Sequence, residues 1–347
     1  MDFVTGATGM LGAHLVLILL KKGRQVRALK TKHSNIEKTR QILSFYSNDY
    51  NNLFSEIDWV EGDLLNYHTL ASTLEGVDTV FNCASLIPIK FGNRLRMIED
   101  NTNAAKNLAM AALDNNVKYF CHVSSIDALG DESNEYKEIT ENSQRNPKGK
   151  YSAYSEAKFM AEMEIWKAIN EGLKAGIINP STIIGPGEWK KGTPRIFDIV
   201  NKGLNFYVDG VTGFVGVKDV VTCMLQMAKE QITGQRFIIN SQNFSCNTLL
   251  QLIANNLGVK QPKYKASKFL LKLLQSTSYL KAFLLNKRAP INTDFINKAT
   301  GFHLYSNDKS KGRLIADYQA LDSVVEEVCQ IYKNDTTGGK RPKITIF

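Results

Sequence analysis

A chain of 347 residues with 43% hydrophobic and 22% charged residues has ample material for a folded core, which excludes a disordered or fibrous class. The net charge of +9 raises a nucleic-acid partner, but the lysines are dispersed and no aromatic-basic platform interleaves them, so a solvated basic surface and no nucleic acid are expected. Five scattered cysteines without a C-x-x-C, no apolar run near the roughly 20 residues of a membrane span, and no signal sequence before the first motif predict a cytoplasmic chain with reduced thiols.

Met1–Val4 suffices for a short first strand, and "TGATGMLG" follows at residues 5 to 12. Met10, Leu11, His14, Leu15, Ile18 and Leu19 then recur at helical spacing, and Lys21-Lys22-Gly23 reads as a helix end. Gly6, Gly9 and Gly12 therefore occupy a strand-to-helix turn, which aims the amides of a helix N-terminus at a phosphate. The spacing is one residue longer than G-x-G-x-x-G. Gly6, Thr8, Gly9, Met10, Leu11 and Gly12 are candidate cofactor-binding residues.

Further strands are predicted in "RQVRALK", "IDWVEGD", "DTVFNCAS", "KYFCHVSS" and "KAGIINPS", and helices in "HTLASTLEG", "EDNTNAAKNLAMAALDNN" and "YSAYSEAKFMAEMEIWKAINEG". A polar stretch from about 34 to 56 should carry an amphipathic helix outside the sheet. After Pro180 the rhythm breaks, with a return to the sheet at about 214–240. From Ser241 onward the pattern is mostly helical. The Leu- and Lys-rich stretch at 266–288 suits either an interfacial membrane helix or a helix pair capping a pocket. This alternation predicts an α/β fold, a Rossmann-type doubly wound parallel sheet. Residues 1–180 would bind NAD(P), and 181–347 would form a smaller, discontinuous, mostly helical substrate region.

Tyr154 and Lys158 stand four apart in "YSEAK", on one helix face. Tyr264 with Lys268 and Tyr305 with Lys309 share that spacing, but only Tyr154 follows the strand ending in Ser124 and Ser125. The C-terminal edge of a parallel sheet is where such folds place ligands. A phenol with an ordinary pKa of about 10 is a poor base at neutral pH, and a nearby ammonium favours its ionised form. Tyr154 is thus a candidate acid/base, Lys158 its electrostatic partner and a ribose ligand, and Ser125 a hydrogen-bond donor to the reacting oxygen.

"TGATGMLG", "GDL" at Gly62, "NCAS" at Asn82, "DNTNAAKNLAMAA", "HVSSIDALG", "YSEAKFMAE" and "NPSTIIGPG", in that order, resemble the extended short-chain dehydrogenase/reductases over nearly the whole chain. The likeness is strongest to the dihydroflavonol reductase-like branch. It implies Asp63 and Leu64 along the adenine, and Asn82, Cys83 and Ala84 beneath the ribose. It also implies Asn101 as support for the active site, and Pro180, Ser181 and Ile183 over the nicotinamide. It favours Ser125 over Ser124. Extended members often dimerise through the helix bearing Tyr154, so Phe159, Met160, Met163 and Trp166 suit either a homodimer or packing inside the monomer.

An NAD enzyme usually carries an acid at the end of the second strand, and an NADP enzyme a base. "ALKTKHSNIEK" has no acid before Glu37, and Thr31 stands where NADP-using relatives often have arginine. Lys30, Thr31, Lys32 and Lys38 are candidates for a 2′-phosphate, so NADP is expected, with NAD as the alternative. The expected partner is a small-molecule carbonyl or alcohol, reduced or oxidised by hydride transfer. The rival is an NAD-dependent nucleotide-sugar epimerase or dehydratase. Thr212 and Gly213 stand where that class places an arginine for the substrate diphosphate. Leu86, Ile87, Ile89, Phe91, Trp189, Phe206, Tyr207 and Phe214 are expected to make an apolar pocket wall, with some of them ordinary core.

Overall fold

The computed structural model describes residues 1–86, 94–130, 138–267 and 299–338, with 269–273, 276–277 and 296 between the last two segments. Seven strands pair in parallel: Asp58–Glu61 (β3), Val26–Lys30 (β2), Asp2–Thr5 (β1), Thr79–Asn82 (β4), Tyr119–Val123 (β5), Ala175–Pro180 (β6) and Arg236–Ile239 (β10), in that spatial order. Asp2 stands opposite both Val26 and Thr79, so β1 is central and the order reverses between it and β4. A crevice opens at such a reversal, beyond the C-terminal strand ends.

Side chains alternate between two faces along these strands. Phe3 and Phe120 pack against Tyr67–Thr73 (α4), Arg94–Asp114 (α5) and Ala153–Asn170 (α6). Val4 and Cys121 join the opposite core with Met10–Lys21 (α1), Glu37–Tyr46 (α2), Tyr50–Ser55 (α3) and Val217–Glu230 (α8). Leu11 to Leu20 is buried without a break. That continuous apolar run fits a helix covered on several sides, because α2 and α8 both pack on α1. The polar stretch at 34 to 56 is thus two helices, and it serves as the cover of the helix behind the glycine turn.

After Pro180, Thr182–Ile184 (β7), Val211–Gly216 (β9) and Gln242–Ser245 (β11) form a separate three-stranded sheet with β9 in the middle. Phe206–Tyr207 (β8) pairs with Tyr264–Lys265 (β12). The expected return to the main sheet at 214–240 is met only by β10. Both edges of β9 are taken, by β7 and β11, so it cannot pair with β6. Arg195–Asn201 (α7), Cys246–Leu257 (α9), Asp308–Arg313 (α10) and Leu321–Thr337 (α11) complete the described elements. No described helix is long and apolar enough to cross a membrane. Most of the stretch at 266–288, with its alternative readings, lies outside the described residues.

Candidate active site

The glycine turn follows from three distinct constraints. Gly6 has φ +66°, and a Cβ there would stand 2.9 Å from the backbone of Cys83 and Ala84. A Cβ on Gly12 would lie 2.3 Å from Gly6 O, so α1 can start this close to β1 only with glycine. At Gly9 the nearest atom would be Gly6 O at 3.2 Å, with none of the tighter contacts seen at the other two. Gly9 is the N-cap of α1, has extended backbone and carries no side-chain cap. The first-turn amides of Met10, Leu11 and Gly12 have no carbonyl inside the helix. An uncapped helix start at a glycine surface fits a dinucleotide pyrophosphate. Thr8 and Met10 are half-buried around it, while Leu11 turns into the core.

Across the crevice, β1 and β4 are tied at their ends. Thr5 Oγ1 accepts from Ala84 N (3.1 Å) and donates to Asn82 Oδ1 (2.7 Å). Asn82 Nδ2 donates to His122 Nδ1 at 3.1 Å, which leaves the proton of this buried imidazole on Nε2. Burial holds the His122 ring down to about 3, with the Lys158 charge acting the same way, so it is neutral at physiological pH. Asn101 grips the next residues: Oδ1 accepts from Leu86 N (2.9 Å), and Nδ2 donates to Leu86 O (2.6 Å) and Met97 O (2.7 Å). A cavity of about 10 Å³ lies beneath, lined in part by Leu64, Asn82, Asn101, His122 and Lys158.

At the end of β5, Ser124 and Ser125 face opposite ways. Ser124 Oγ donates to Glu162 Oε2 at 2.7 Å, while Ser125 Oγ accepts from Asp127 N at 3.1 Å and keeps its proton for another acceptor. Ser155 Oγ donates to Asp127 O (2.7 Å), locking the start of α6 to the turn that follows Ser125. Arg145 braces the same helix end, bonding Glu156 Oε1 at 3.0 Å and lying 3.7 Å above the Tyr151 ring. Tyr154, half-buried, stands in this first turn. Lys158, one turn on, is buried and donates to Val123 O at 3.1 Å. Burial pulls its ammonium down to about 8, against the attraction of Asp127 and Glu162.

The NAD dependent epimerase/dehydratase family matches residues 3–240. The chain belongs to this family. It is an enzyme of the extended short-chain dehydrogenase/reductase kind, NAD(P)-dependent, on a Rossmann-type sheet. It is similar to a dihydroflavonol 4-reductase-like protein of Synechocystis sp., at 30% identity over 75% of this chain and 74% of the relative. Sterol demethylase protein B of Methylococcus capsulatus is 26% identical over 85% of each chain. UDP-glucose 4-epimerase of Thermotoga maritima, solved with UDP-glucose, shares the fold at TM-score 0.74 and 19% identity, covering 97% of this chain and 100% of its own.

For this family member, the glycine turn, the segment at Asn82, Cys83 and Ala84, and the Ser125, Tyr154 and Lys158 elements all meet at the sheet edge. Pro180 ends β6, Ser181 N donates to Ile239 O (2.9 Å), and Ile183 lies in β7. Asp63 is exposed and caps Leu65 N at 2.9 Å. At the end of β2, Ser34 Oγ accepts from Thr31 N (2.9 Å), Lys30 is half-buried and Lys32 is exposed. Lys38 is paired with Glu188 at 2.8 Å. The expected pocket wall divides. Trp189 and Phe214 are core residues, Trp189 packing on Phe45, Phe197 and Tyr332. Phe206 is exposed, Leu86 is half-buried, and Ile87, Ile89 and Phe91 lie outside the described residues. Three buried polar residues at the site have no signature spacing by which the sequence could reveal them: His122, Glu162 and Asn179. Asn179 Nδ2 donates to both Ser125 O and Glu162 Oε2, at 2.9 Å each.

Proposed function

We propose that this enzyme is an NADP-dependent oxidoreductase that reduces a small or medium ketone or aldehyde through Ser125, Tyr154 and Lys158. The carrying observation is a buried lysine one turn from Tyr154, on a helix locked to the turn of Ser125. A nicotinamide bound over the crevice supplies the hydride. The Ser125 hydroxyl donates to the carbonyl oxygen and orients it, and the Tyr154 hydroxyl gives that oxygen its proton. The Lys158 ammonium stabilises the phenolate left behind and holds the ribose, and Asn101 keeps the residues after β4 in place. The run that ends β2 carries no acid before Glu37, and Lys30, Thr31 and Lys32 within it support NADP, with Lys38 available only if it leaves Glu188.

Reduction is favoured over nucleotide-sugar epimerisation by the packing at Gly213. A Cβ there would stand 2.5 Å from Asn240 Oδ1 and 2.9 Å from Ser181 Cβ, so the second residue of the expected Arg-Asp pair has no room, and Thr212 brings no charge in place of the arginine. Asn240 Oδ1, Ser181 Oγ and Asn179 Oδ1 are buried without hydrogen-bond partners among the described residues, and offer polar contacts to a compact substrate. Met110, Met160 and Met163 are exposed on α5 and α6, the face on which we place a homodimer.

The test is a panel of aromatic and aliphatic ketones and aldehydes, with NADPH oxidation followed by absorbance. Turnover should appear with at least one compound, and Tyr154→Phe should lower it by about 10²–10⁴ while NADPH still binds. NADPH should bind more tightly than NADH. Epimerised UDP- or dTDP-sugar with tightly retained NAD would overturn the reading in favour of the rival.

A further inference from the structure

Glu162 sits one turn beyond Lys158 on α6 and is 1% exposed. Four donors converge on it. Ser124 Oγ (2.7 Å) and Asn179 Nδ2 (2.9 Å) reach Oε2, while Trp166 Nε1 (3.3 Å) and Arg236 Nη1 (3.1 Å) reach Oε1. Arg236 comes from β10 at the sheet edge, where its Nε donates to Glu141 O at 2.8 Å and its Nη2 bonds the same oxygen. A carboxylate buried this deeply is costly unless paired and fully hydrogen-bonded, and here both conditions are met. The four-residue spacing on α6 also puts this carboxylate on the helix face that carries Lys158.

We propose that Glu162 is a positioning residue that acts through Lys158: its carboxylate, braced by Ser124, Asn179 and Arg236, keeps the lysine an ammonium for cofactor binding. This rests on the reading of Lys158 as a ribose ligand given above. The groups facing Lys158 are Cys83 after β4, His122 on β5, Asp127 in the turn after Ser125, and Tyr154 and Glu162 on its own helix. Burial pushes the Cys83 thiol up to about 12, and His122 is neutral, so Asp127 and Glu162 carry the negative charge around it. Of these two, Glu162 stands on the same helix as Lys158, one turn on, with its carboxylate fixed by four donors.

The experiment is the pH dependence of NADPH and NADH dissociation constants, measured by fluorescence on the full chain from about pH 6 to 10, which needs no carbonyl substrate. Wild type should lose affinity through a midpoint near 8, and Lys158→Met should abolish the step. Glu162→Gln, isosteric but uncharged, should move the midpoint down by about one unit, the scale of one nearby charge. Arg236→Gln leaves the carboxylate without its countercharge and should move the midpoint up. Opposite shifts from the two halves of one ion pair are not produced by a packing role. If Glu162→Gln does not fold, the upward shift in Arg236→Gln decides alone. Midpoints that stay put or move together, while Lys158→Met removes the step, overturn the role of Glu162 and leave the lysine reading standing. A step that survives Lys158→Met overturns that reading and this inference with it.

Discussion

Gly9 and Gly12 occupy equivalent places in a repeated spacing, yet different forces hold them. Gly12 is glycine because Gly6 O would lie 2.3 Å from its Cβ. Gly9 has φ −88° and ψ 167°, a backbone any residue adopts, and its Cβ would meet protein only at 3.2 Å. On the proposed reading, its reason for being glycine is the cofactor pyrophosphate that approaches α1. Gly9→Ala should therefore melt within a few degrees of wild type but lose NADPH affinity at least tenfold. Gly12→Ala should lose about 1–3 kcal/mol of stability, as overpacked sites do. Thermal melts and cofactor titrations on the two variants check this. Equal loss of stability in both would mean that Gly9 is also a packing glycine. The sequence pattern made the turn legible at once. The different jobs of its glycines depend on what β1, β4 and α1 bring within 3 Å, which no spacing records.

At the scale of elements, α11 is the least expected contributor. Leu321, Val324, Val325, Val328 and Tyr332 give it an apolar stripe at helical spacing, and that much is readable from the sequence. Its polar partners are not, because they come from residues far away in the chain. Lys218 on α8 donates to Glu327 Oε2 at 2.6 Å, Tyr46 on α2 donates to Oε1 at 3.2 Å, and the Trp189 indole donates to Asp335 at 2.8 Å. These contacts clamp α11 over α2 and α8, the two helices that cover α1. The Lys218 side chain is only 8% exposed, so removing Glu327 takes the countercharge at 2.6 Å from a buried ammonium. Glu327→Ala should cost about 3–5 kcal/mol, whereas Lys218→Met with Glu327→Leu should recover most of it. A urea double-mutant cycle measures the coupling, and an additive result would show the pair to be solvated in solution. The same distance problem explains Trp189 and Phe214. Their sequence neighbourhood suggested a pocket wall, but α7 and α11 close over Trp189 and make it core.

Across the whole molecule, buried ionisable groups pull stability in opposite directions as pH changes. His122 and His14 are held by burial at about 3 and about 4, below the ordinary 6.5, so the unfolded chain binds more protons than the folded one on the acid side of 6.5. Their contribution is fully present above pH 6.5 and is lost as pH falls towards those folded values. Asp2 and Asp219 are raised by burial to about 6, and they act the other way. The folded chain binds more protons between the ordinary 3.8 and 6, so acidification over that window adds stability. The wild-type curve should therefore be flatter than either set alone would give, and a single melt against pH cannot separate them. A variant can. His122→Gln removes one titrating group from the site floor while retaining an amide that can accept from Asn82 Nδ2. Whatever it costs at pH 7, its deficit relative to wild type should shrink by about 2 kcal/mol by pH 5, at about 1.4 kcal/mol per pH unit below 6.5. Denaturant melts of both proteins at several pH values give that difference directly. A deficit that stays constant from pH 7 to 5 would mean that His122 titrates alike folded and unfolded, and that water reaches the ring beneath Asn82.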